Sequence, residues 1–258
     1  MKSKTISLRN LIGLAVFFRI IFLFATPNLS QDFYRFIWDG RMIFEGFNPY
    51  MSLPETYIKQ GIQPIKEAFQ LYNGMGELNG SHYTNYPPIN QLCFLIAALF
   101  ASKSIYSAII VLKIIIISAD IGILYIGTKL LKRMHLPIKN IFWYVLNPFI
   151  IIEMTGNLHF EPVMIFFLVW SLLALHKKQW IWAAILLACA ISVKLIPLLL
   201  LPLFYQWFVK NNQNWLKGFV KLNLFYTIVL STTLLLFLPF YTSELIENYM
   251  GVDMYYLS

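Results

Sequence analysis

Long apolar runs separated by short basic or polar segments recur along the chain. They lie at residues 11–25, at about 105–128, and then at about 139–155, 162–176, 180–195, 196–209 and 219–240. An apolar helix of about 15–25 residues can cross the ~30 Å hydrocarbon core of a bilayer. The pattern therefore predicts an all-α fold, a polytopic transmembrane helical bundle with about seven spans.

Residues 27–87 interrupt this pattern with a segment rich in Pro, Gly, Asn and Tyr, which is too polar to lie in lipid. The apolar run that follows, 88–101, is shorter than the ~20 residues of an ordinary transmembrane helix. We interpret it as an amphipathic helix that lies along the extracytoplasmic surface of the membrane. The sequence thus predicts a long first extracytoplasmic loop, at about 27–104, that carries juxtamembrane helices.

Composition agrees with a membrane protein. Of the 258 residues, 59% are hydrophobic and 12% are charged, and the mean hydropathy is +0.64. Soluble domains carry about 25% charged residues, so this chain could not cover the surface of a soluble globule. The net charge of +8 predicts no nucleic-acid partner, because the Lys and Arg residues form no continuous stripe. Cys93 and Cys189 lie inside apolar runs and predict neither a disulfide framework nor a zinc site.

The charges are distributed asymmetrically between the two predicted sides of the membrane. The segments that we assign to the cytoplasm contain 12 basic residues and no acidic one, whereas 11 of the 12 acidic residues fall on the other side or at its boundary. Basic loops stay in the cytoplasm, and a span at 88–101 would violate this rule. No A-x-A-like cleavage site follows the first run, so we expect an uncleaved first span with a cytoplasmic N-terminus. We predict one multi-pass integral membrane domain over residues 1–258.

The first polar cluster begins just beyond the first span, at Asp32. Aspartate is a good N-cap residue, and the sequence predicts a helix from Asp32 to about residue 44. Asp32, Arg35 and Asp39 would share one face of that helix. Charges and aromatic rings beside a membrane suit a sugar-lipid site, in which carboxylates hold hydroxyl groups and aromatic faces pack on sugar rings. The alternatives are a solvated cap for Asp32, and neutralisation of acids or contact with lipid headgroups for Arg35 and Arg41.

Two further clusters lie in the predicted extracytoplasmic segments. Tyr86 precedes the double proline that starts the helix at residue 88, and it could line a site or belong to an interfacial belt of tyrosines. The turn between two predicted spans contains Asn157, His159 and Glu161, and both sugar binding and a simple solvated turn are open interpretations. His159 and Glu161 could also hold a divalent metal, but a metal site needs three or four protein ligands. A metal is therefore not favoured, and no other cofactor is indicated.

The remaining charged residues of interest are Lys194, Arg19, Lys113 and Asp120, which lie within or directly between apolar runs. Lys194 separates two of them on the extracytoplasmic side, against the distribution of most other lysines. A charge deep in a bilayer costs about 2.5–3.5 kcal/mol on insertion scales, so such residues tend to be functional. We expect Lys194 either to bind an anion such as a lipid phosphate or to extend its side chain to the headgroups. For Arg19, Lys113 and Asp120 we expect structural partners on other helices.

These clusters, in this order, resemble the GT-C superfamily of membrane glycosyltransferases. The resemblance rests on Asp32 after the first span, the stretch from Asp39-Gly40-Arg41 to Gly46-Phe47-Asn48-Pro49-Tyr50, Tyr86-Pro87-Pro88, and Lys194-Leu195-Ile196-Pro197. The most similar families are bacterial polyprenyl-phosphate-mannose-dependent mannosyltransferases and the catalytic subunit of the first GPI mannosyltransferase. In such families the acid of the first loop is essential, and a basic residue near the Lys-x-x-Pro turn serves the carrier phosphate.

The resemblance implies an enzyme of the bacterial inner membrane, in contact with membrane lipid, whose active site is extracytoplasmic. It would transfer a hexose, with mannose as the expected sugar, with inversion from a polyprenyl-phosphate donor to a glycan, lipid or protein acceptor. Asp32 would be the catalytic residue, as general base on the acceptor hydroxyl. The expected substrate-binding residues are Arg35, Asp39, Arg41, Tyr86, Asn157, His159, Glu161 and, on the donor phosphate, Lys194.

The chain departs from the superfamily pattern in two ways. Asp32 is followed by Phe33 and Tyr34, where parts of the superfamily have a paired Asp-x-Asp, and this puts metal dependence in doubt. Members usually have more than seven spans, so we expect that C-terminal helices could be missing. The alternative functions are a transporter or flippase of a polar lipid or lipid-linked sugar, which needs ionisable residues along a pathway at mid-membrane, and a non-catalytic scaffold subunit.

Overall fold

The computed structural model describes residues 7–101, 104–210 and 213–242, and within these ranges all regular secondary structure is helical. The predicted all-α fold class is thereby confirmed. The α-helices are α1 (Leu8–Leu23), α2 (Asp32–Phe44), α3 (Pro54–Lys59), α4 (Ala68–Gly80), α5 (Pro88–Ala101), α6 (Ile105–Arg133), α7 (Phe142–Val145), α8 (Glu161–His176), α9 (Trp180–Ile191), α10 (Leu203–Tyr205) and α11 (Trp215–Phe237). Short 3₁₀ or π-helical turns lie at Ile138–Ile141, Ile150–Gly156, Ile196–Leu200, Gln206–Lys210 and Leu238–Phe240.

Within the described residues, two helices are long and apolar enough to cross a membrane unaided. They are Ile105–Arg133, with 29 residues, and Trp215–Phe240, with 26 residues. A third candidate is the pair Ile150–Gly156 and Glu161–His176, which is bent by 112° at its break. Helices α5 and α9 are apolar but shorter, with 14 and 12 residues. The structure thus contains two or three candidate spans, and the seven spans stay a prediction.

Two of the predicted spans are divided into short helical pieces. The run at 139–155 contains a 3₁₀ turn, the four residues of α7 and a π-helical turn, and the run at 196–209 is divided in a similar way. Pro148 lies between the pieces of the first run, and Pro197 and Pro202 lie in the second. Proline lacks a backbone N–H and clashes with the preceding turn, so an apolar run with internal prolines does not form one continuous helix.

The chain divides into two compact units. Among the described residues, the first unit comprises the chain up to Pro27 and Lys113–Leu234, and the second comprises Asn28–Leu112 and the residues from Leu235 onwards. In the second unit, a Cβ added at Gly40 of α2 would lie 2.2 Å from Phe94 O of α5. The two helices approach this closely because residue 40 has no side chain.

In the first unit, α8 packs against α9 through small residues. Four alanines of α9 are fully buried: Ala183, Ala184, Ala188 and Ala190. Ser171 Oγ of α8 donates a hydrogen bond to Ala183 O at 2.7 Å. Because lipid tails are as apolar as leucine, helices in a membrane associate through close packing and interhelical hydrogen bonds, and this contact is of that kind.

Three charged residues of the predicted spans in the first unit, Arg19, Lys113 and Asp120, are buried and have partners. Arg19 of α1 forms an ion pair with Asp120 of α6, with Nε 2.7 Å from Oδ2. Arg19 Nη1 also donates to Val145 O at 2.7 Å, so one guanidinium joins α1, α6 and α7. Lys113 Nζ donates to Phe22 O at 2.8 Å, near the C-terminus of α1, where free carbonyls attract a cation. The expectation of structural partners on other helices for Arg19, Lys113 and Asp120 is confirmed.

Candidate functional site

Helix α2 begins at Asp32 and ends at Phe44, the bounds that the sequence predicts. Gln31 is the N-cap residue, so Asp32 is the first helical residue and does not itself cap the helix. Its carboxylate is half-buried, and the positive end of the helix dipole favours a negative charge there. Asn79 Nδ2 donates a hydrogen bond to Asp32 Oδ1 at 3.2 Å. Among the described residues no donor reaches Oδ2, which can therefore accept a hydrogen bond or a proton from a substrate.

Asp39 lies at the centre of a buried hydrogen-bond network. Its Oδ1 accepts from Arg35 Nε at 2.8 Å, and its Oδ2 accepts from Thr84 Oγ1 at 2.5 Å and Gln91 Nε2 at 3.1 Å. A carboxylate is stable away from water only when it is paired and its oxygens are hydrogen-bonded, and both conditions hold here. The network ties α2 to α5 and to the segment that precedes α5.

Arg35 connects this network to α4. Its Nη1 donates hydrogen bonds to Asn79 O at 2.6 Å and to His82 O at 2.9 Å, so the guanidinium holds the C-terminal end of α4. Arginine suits this position because its planar fork presents several donors at fixed angles. Arg35 thus supports the residue that contacts Asp32.

A kink in α4 places Asn79 beside the start of α2. Gly76 has φ +75°, a left-handed conformation that glycine adopts without steric cost, and the helix changes direction there. A Cβ at residue 76 would lie 3.2 Å from Gln31 Oε1, so the kink passes next to the N-cap of α2. The last turn of α4, after the kink, carries Asn79.

Arg41, which is also buried, has a separate set of partners. Its Nη1 donates to Lys66 O at 2.6 Å and lies 2.9 Å from Glu67 Oε2. Of the alternatives that the sequence leaves open for Arg35 and Arg41, neutralisation of acids matches these contacts, with Asp39 and Glu67 as the acids. Substrate binding by either arginine stays a prediction.

Tyr86 is half-buried among aromatic rings. Its ring packs edge-on against Phe36 and Phe94, with centroids 4.9 and 5.6 Å away. Tyr50 Oη donates a hydrogen bond to Tyr86 O at 2.5 Å. These contacts hold the segment that leads into α5, and a substrate contact of the tyrosine stays a prediction.

A mostly apolar cavity of about 440 Å³ lies in the second unit, at the C-terminal end of α2. Its lining includes Ile43, Phe47, Gln91, Leu92, Leu236 and Phe240. Ile43 follows Asp32 by eleven residues, which is about 16 Å along a helix that rises 1.5 Å per residue. The cavity is therefore separate from the surroundings of the Asp32 carboxylate.

In the first unit, the turn before α8 carries two of the predicted residues. Asn157 is buried, and its Nδ2 donates to Glu153 Oε2 at 3.2 Å. His159 is half-buried, and its Nε2 lies 3.9 Å from the same oxygen. The backbone turns sharply between them, with φ +66° at Leu158. Glu153 therefore lies next to both side chains.

Glu161 and Lys194, also in the first unit, form an ion pair. Glu161 is the first residue of α8 and is half-buried, whereas Lys194 follows α9 and is exposed. The turn that the sequence predicts at 192–197 follows α9 and includes the first two residues of the 3₁₀ turn Ile196–Leu200. The ammonium group of Lys194 thus already binds an oxyanion.

The predicted site residues fall into two groups, one in each unit. The second unit contains Asp32, Arg35, Asp39, Arg41 and Tyr86. The first unit contains Asn157, His159, Glu161 and Lys194. In the described part of the chain, no group of three or more His, Cys, Asp or Glu side chains could hold a metal ion.

Three residues around Asp32 and Asp39 are not among the predicted ones: Asn79, Thr84 and Gln91. Gln91 could have been predicted from the sequence, because it is a polar residue inside the apolar run 88–101. Buried polar side chains of this kind have hydrogen-bond partners. Asn79 and Thr84 lie in a segment with many polar residues, and nothing in their spacing distinguishes them from their neighbours.

Comparison with known proteins agrees with the predicted resemblance. Alpha-(1->6)-mannopyranosyltransferase A of Corynebacterium glutamicum is 25% identical over 189 residues, which are 72% of this chain and 36% of that protein. The chain therefore spans about a third of the length of this curated relative, at 36%. No solved structure matches the chain.

Residues 1–210 match the family described as Alpha-(1->6)-mannopyranosyltransferase, N-terminal domain. The match covers well over half of the chain, and the resemblance to mannosyltransferases of the GT-C type is confirmed. The chain belongs to this alpha-(1->6)-mannopyranosyltransferase family.

Proposed function

We propose that the protein is a membrane glycosyltransferase that transfers mannose to an acceptor hydroxyl, with Asp32 as the general base. The observation that carries this proposal is the half-buried carboxylate of Asp32, in which Oδ1 is held by Asn79 and Oδ2 is open among the described residues. The names of the family and of the corynebacterial relative support mannose as the sugar.

The proposed donor is a polyprenyl-phosphate mannose. The acceptor hydroxyl transfers its proton to Asp32 Oδ2 while its oxygen attacks the anomeric carbon of mannose. The bond between that carbon and the phosphate oxygen breaks, and its electron pair leaves with the polyprenyl phosphate. General-base assistance of this kind contributes about 10²–10⁴-fold to a rate. A single displacement inverts the anomeric carbon, so an α-linked product requires a β-linked donor.

The linkage in the names also bears on the acceptor. A (1->6) bond joins the transferred sugar to O6, which in a hexopyranose is a primary hydroxyl on a flexible exocyclic carbon. If this chain forms the same linkage, its acceptor presents a sugar O6. Among the acceptor classes that the sequence leaves open, a glycan is therefore the one that we propose.

For Lys194 we propose a role on the donor phosphate. Its ammonium group is exposed and is paired with the carboxylate of Glu161. A phosphate oxygen of the donor could take the place of that carboxylate. A cation beside a leaving phosphate stabilises the negative charge that develops there. For Asn157 and His159, which have polar N–H groups in the neighbouring turn, we propose contacts with sugar hydroxyls.

We further propose a multi-pass protein of the bacterial inner membrane with seven spans, a cytoplasmic N-terminus and an extracytoplasmic reaction. The two or three candidate spans support membrane insertion. The absence of acidic residues from the proposed cytoplasmic segments, which hold 12 basic residues, supports the orientation.

The contacts of the buried charges favour an enzyme over a transporter. A transporter needs ionisable groups that face a pathway through the membrane. Arg19 and Asp120 are instead paired with each other, and Lys113 is bonded to the carbonyl of Phe22. These contacts support a structural role for all three residues.

Replacement of Asp32 by asparagine tests the proposal. Membranes that contain the full chain are incubated with radiolabelled polyprenyl-phosphate mannose and a synthetic alkyl α-mannoside, and label in the mannoside is measured. Asp32→Asn keeps the shape and the contact of the side chain, so we expect normal expression and a rate at least about 10²-fold lower. The matched control is Glu45→Gln at the exposed C-cap of the same helix, which should transfer mannose at the parental rate. Undiminished transfer by Asp32→Asn would remove Asp32 from this role.

A further inference from the structure

The side-chain amide of Asn79 has a determined orientation. Its Nδ2 lies 3.2 Å from Asp32 Oδ1 and 3.2 Å from Met75 O. A carboxylate and a carbonyl both accept hydrogen bonds, so the amide nitrogen, and not the amide oxygen, must face them. The two N–H bonds then have one acceptor each, and the amide is fixed between its own helix and Asp32.

The backbone of Asn79 is held as well. Arg35 Nη1 donates to Asn79 O at 2.6 Å, and Arg35 is in turn held by Asp39 through a 2.8 Å ion pair. Asp39 is bonded to Thr84 and Gln91. A series of buried and partly buried hydrogen bonds therefore determines the position of the single described donor that contacts the Asp32 carboxylate.

We infer that Asn79 is a positioning residue for the general base Asp32, an inference that rests on the function proposed above. Its N–H holds Oδ1, which fixes the plane of the carboxylate and leaves Oδ2 for the acceptor hydroxyl. In metal sites, residues that orient a metal-binding side chain contribute about 10–100-fold to affinity or activity, and we expect an effect of the same order for a residue that orients a general base.

The pH dependence of transfer distinguishes positioning from simple structural support. In Asn79→Ala the backbone carbonyl that Arg35 binds is retained, whereas the side-chain amide is lost together with its hydrogen bonds to Asp32 and to Met75 O of its own helix. We expect kcat to fall about 10-fold with little change in the donor KM. We also expect the acidic limb of the pH–rate profile to move to higher pH, because the variant lacks a donor to the charged form of the base. In Asn79→Asp a second carboxylate lies beside the first, and we expect a larger upward shift, because like charges disfavour ionisation.

The chain offers a matched control on the same helix. Asn73 of α4 is exposed, and its side chain makes no hydrogen bond to other described residues. Asn73→Ala should therefore retain the parental kcat, KM and pH profile. Size-exclusion chromatography in detergent checks that each variant is folded, and Asn79→Ser gives a second removal of the amide if Asn79→Ala is poorly folded.

Two results separate this inference from the function on which it rests. If Asp32→Asn retains the parental rate of transfer, Asp32 is not the general base of the proposed function and the inference falls with it. If Asp32→Asn is inactive but Asn79→Ala and Asn79→Asp keep the parental pH profile, the function stands and the positioning role alone is overturned. Lower folded yield with an unchanged pH profile would likewise assign Asn79 a structural role only.

Discussion

Two of the ion pairs in the described part of the chain, one in each unit, have opposite surroundings. Arg35 and Asp39 of α2 lie 2.8 Å apart with side chains that are 4% and 0% exposed. Lys194 and Glu161 also form a direct ion pair, but their side chains are 47% and 22% exposed. Asp39 has two further hydrogen-bond donors, Thr84 and Gln91, whereas the structure shows Glu161 Oε1 bonded to Lys194.

This difference in exposure indicates that the first pair supports the structure, whereas the second pair can exchange one partner for another ion. Removal of one partner from a buried pair leaves an uncompensated charge and costs about 3–5 kcal/mol. An exposed pair is worth about 0–1 kcal/mol, because water replaces the lost partner. Arg35–Asp39 is therefore suited to hold neighbouring groups in place. Lys194–Glu161 can open at little cost to admit another anion.

The largest expected effect is the loss of the buried acid. Asp39→Asn preserves the size of the side chain but leaves the guanidinium of Arg35 without its counter-charge, and we expect the variant to be destabilised by about 3–5 kcal/mol. Thermal unfolding of the detergent-solubilised protein measures the change. The matched control is Asp32→Asn, a half-buried acid on the same helix, which should unfold at nearly the parental temperature. Equal stability of Asp39→Asn and the parent would show that the pair is not a support.

The sequence predicts contacts within one helix better than contacts between helices. The bounds of α2 and α5 were predicted from their polar and proline starts, and the shared face of Asp32, Arg35 and Asp39 follows from helical spacing. Asn79 and Gln91 lie 47 and 52 residues from their carboxylate partners. A helical repeat carries no information on which distant side chain completes a network.

The apolar pattern of the sequence likewise predicts the fold class better than it predicts the individual membrane spans. It predicts the all-α fold and the helix at 88–101, both of which are observed. It also predicts single helices at 139–155 and 196–209, where internal prolines such as Pro148 and Pro197 divide the chain into short pieces. Hydropathy measures the preference for lipid, whereas helix continuity depends on the backbone N–H that proline lacks.

An intermediate effect is expected from the packing beside the buried pair. Gly40 adjoins Asp39, and a Cβ in Gly40→Ala would lie 2.2 Å from the backbone oxygen of Phe94, so α2 and α5 must move apart. Overpacking of this kind costs about 1–3 kcal/mol. Gly13→Ala is the matched control, because nothing lies within 4 Å of its added Cβ. Thermal unfolding should separate the two variants, and equal midpoints would show that the contact between α2 and α5 adapts easily.

The smallest effect on stability is expected at the exposed pair. Glu161→Gln removes the carboxylate that holds Lys194, and we expect the free energy of unfolding to change by less than about 1 kcal/mol. The same change frees the ammonium group from a competing anion. If Lys194 binds the donor phosphate, the KM for polyprenyl-phosphate mannose should fall in Glu161→Gln and rise in Lys194→Met.

The control for this prediction is a second exposed ion pair of similar geometry. Glu55 and Lys59 of α3 pair at 2.6 Å, and the Glu55 side chain is 21% exposed, close to the 22% of Glu161. The hydrogen bond that Lys59 donates to Glu55 raises the pKa of Lys59, because the carboxylate stabilises the charged ammonium group. Glu55→Gln should leave both the unfolding midpoint and the donor KM unchanged. If the donor KM responds equally to Glu55→Gln and Glu161→Gln, the change reflects the overall electrostatic field of the protein. Lys194 would then not be the residue that binds the donor phosphate.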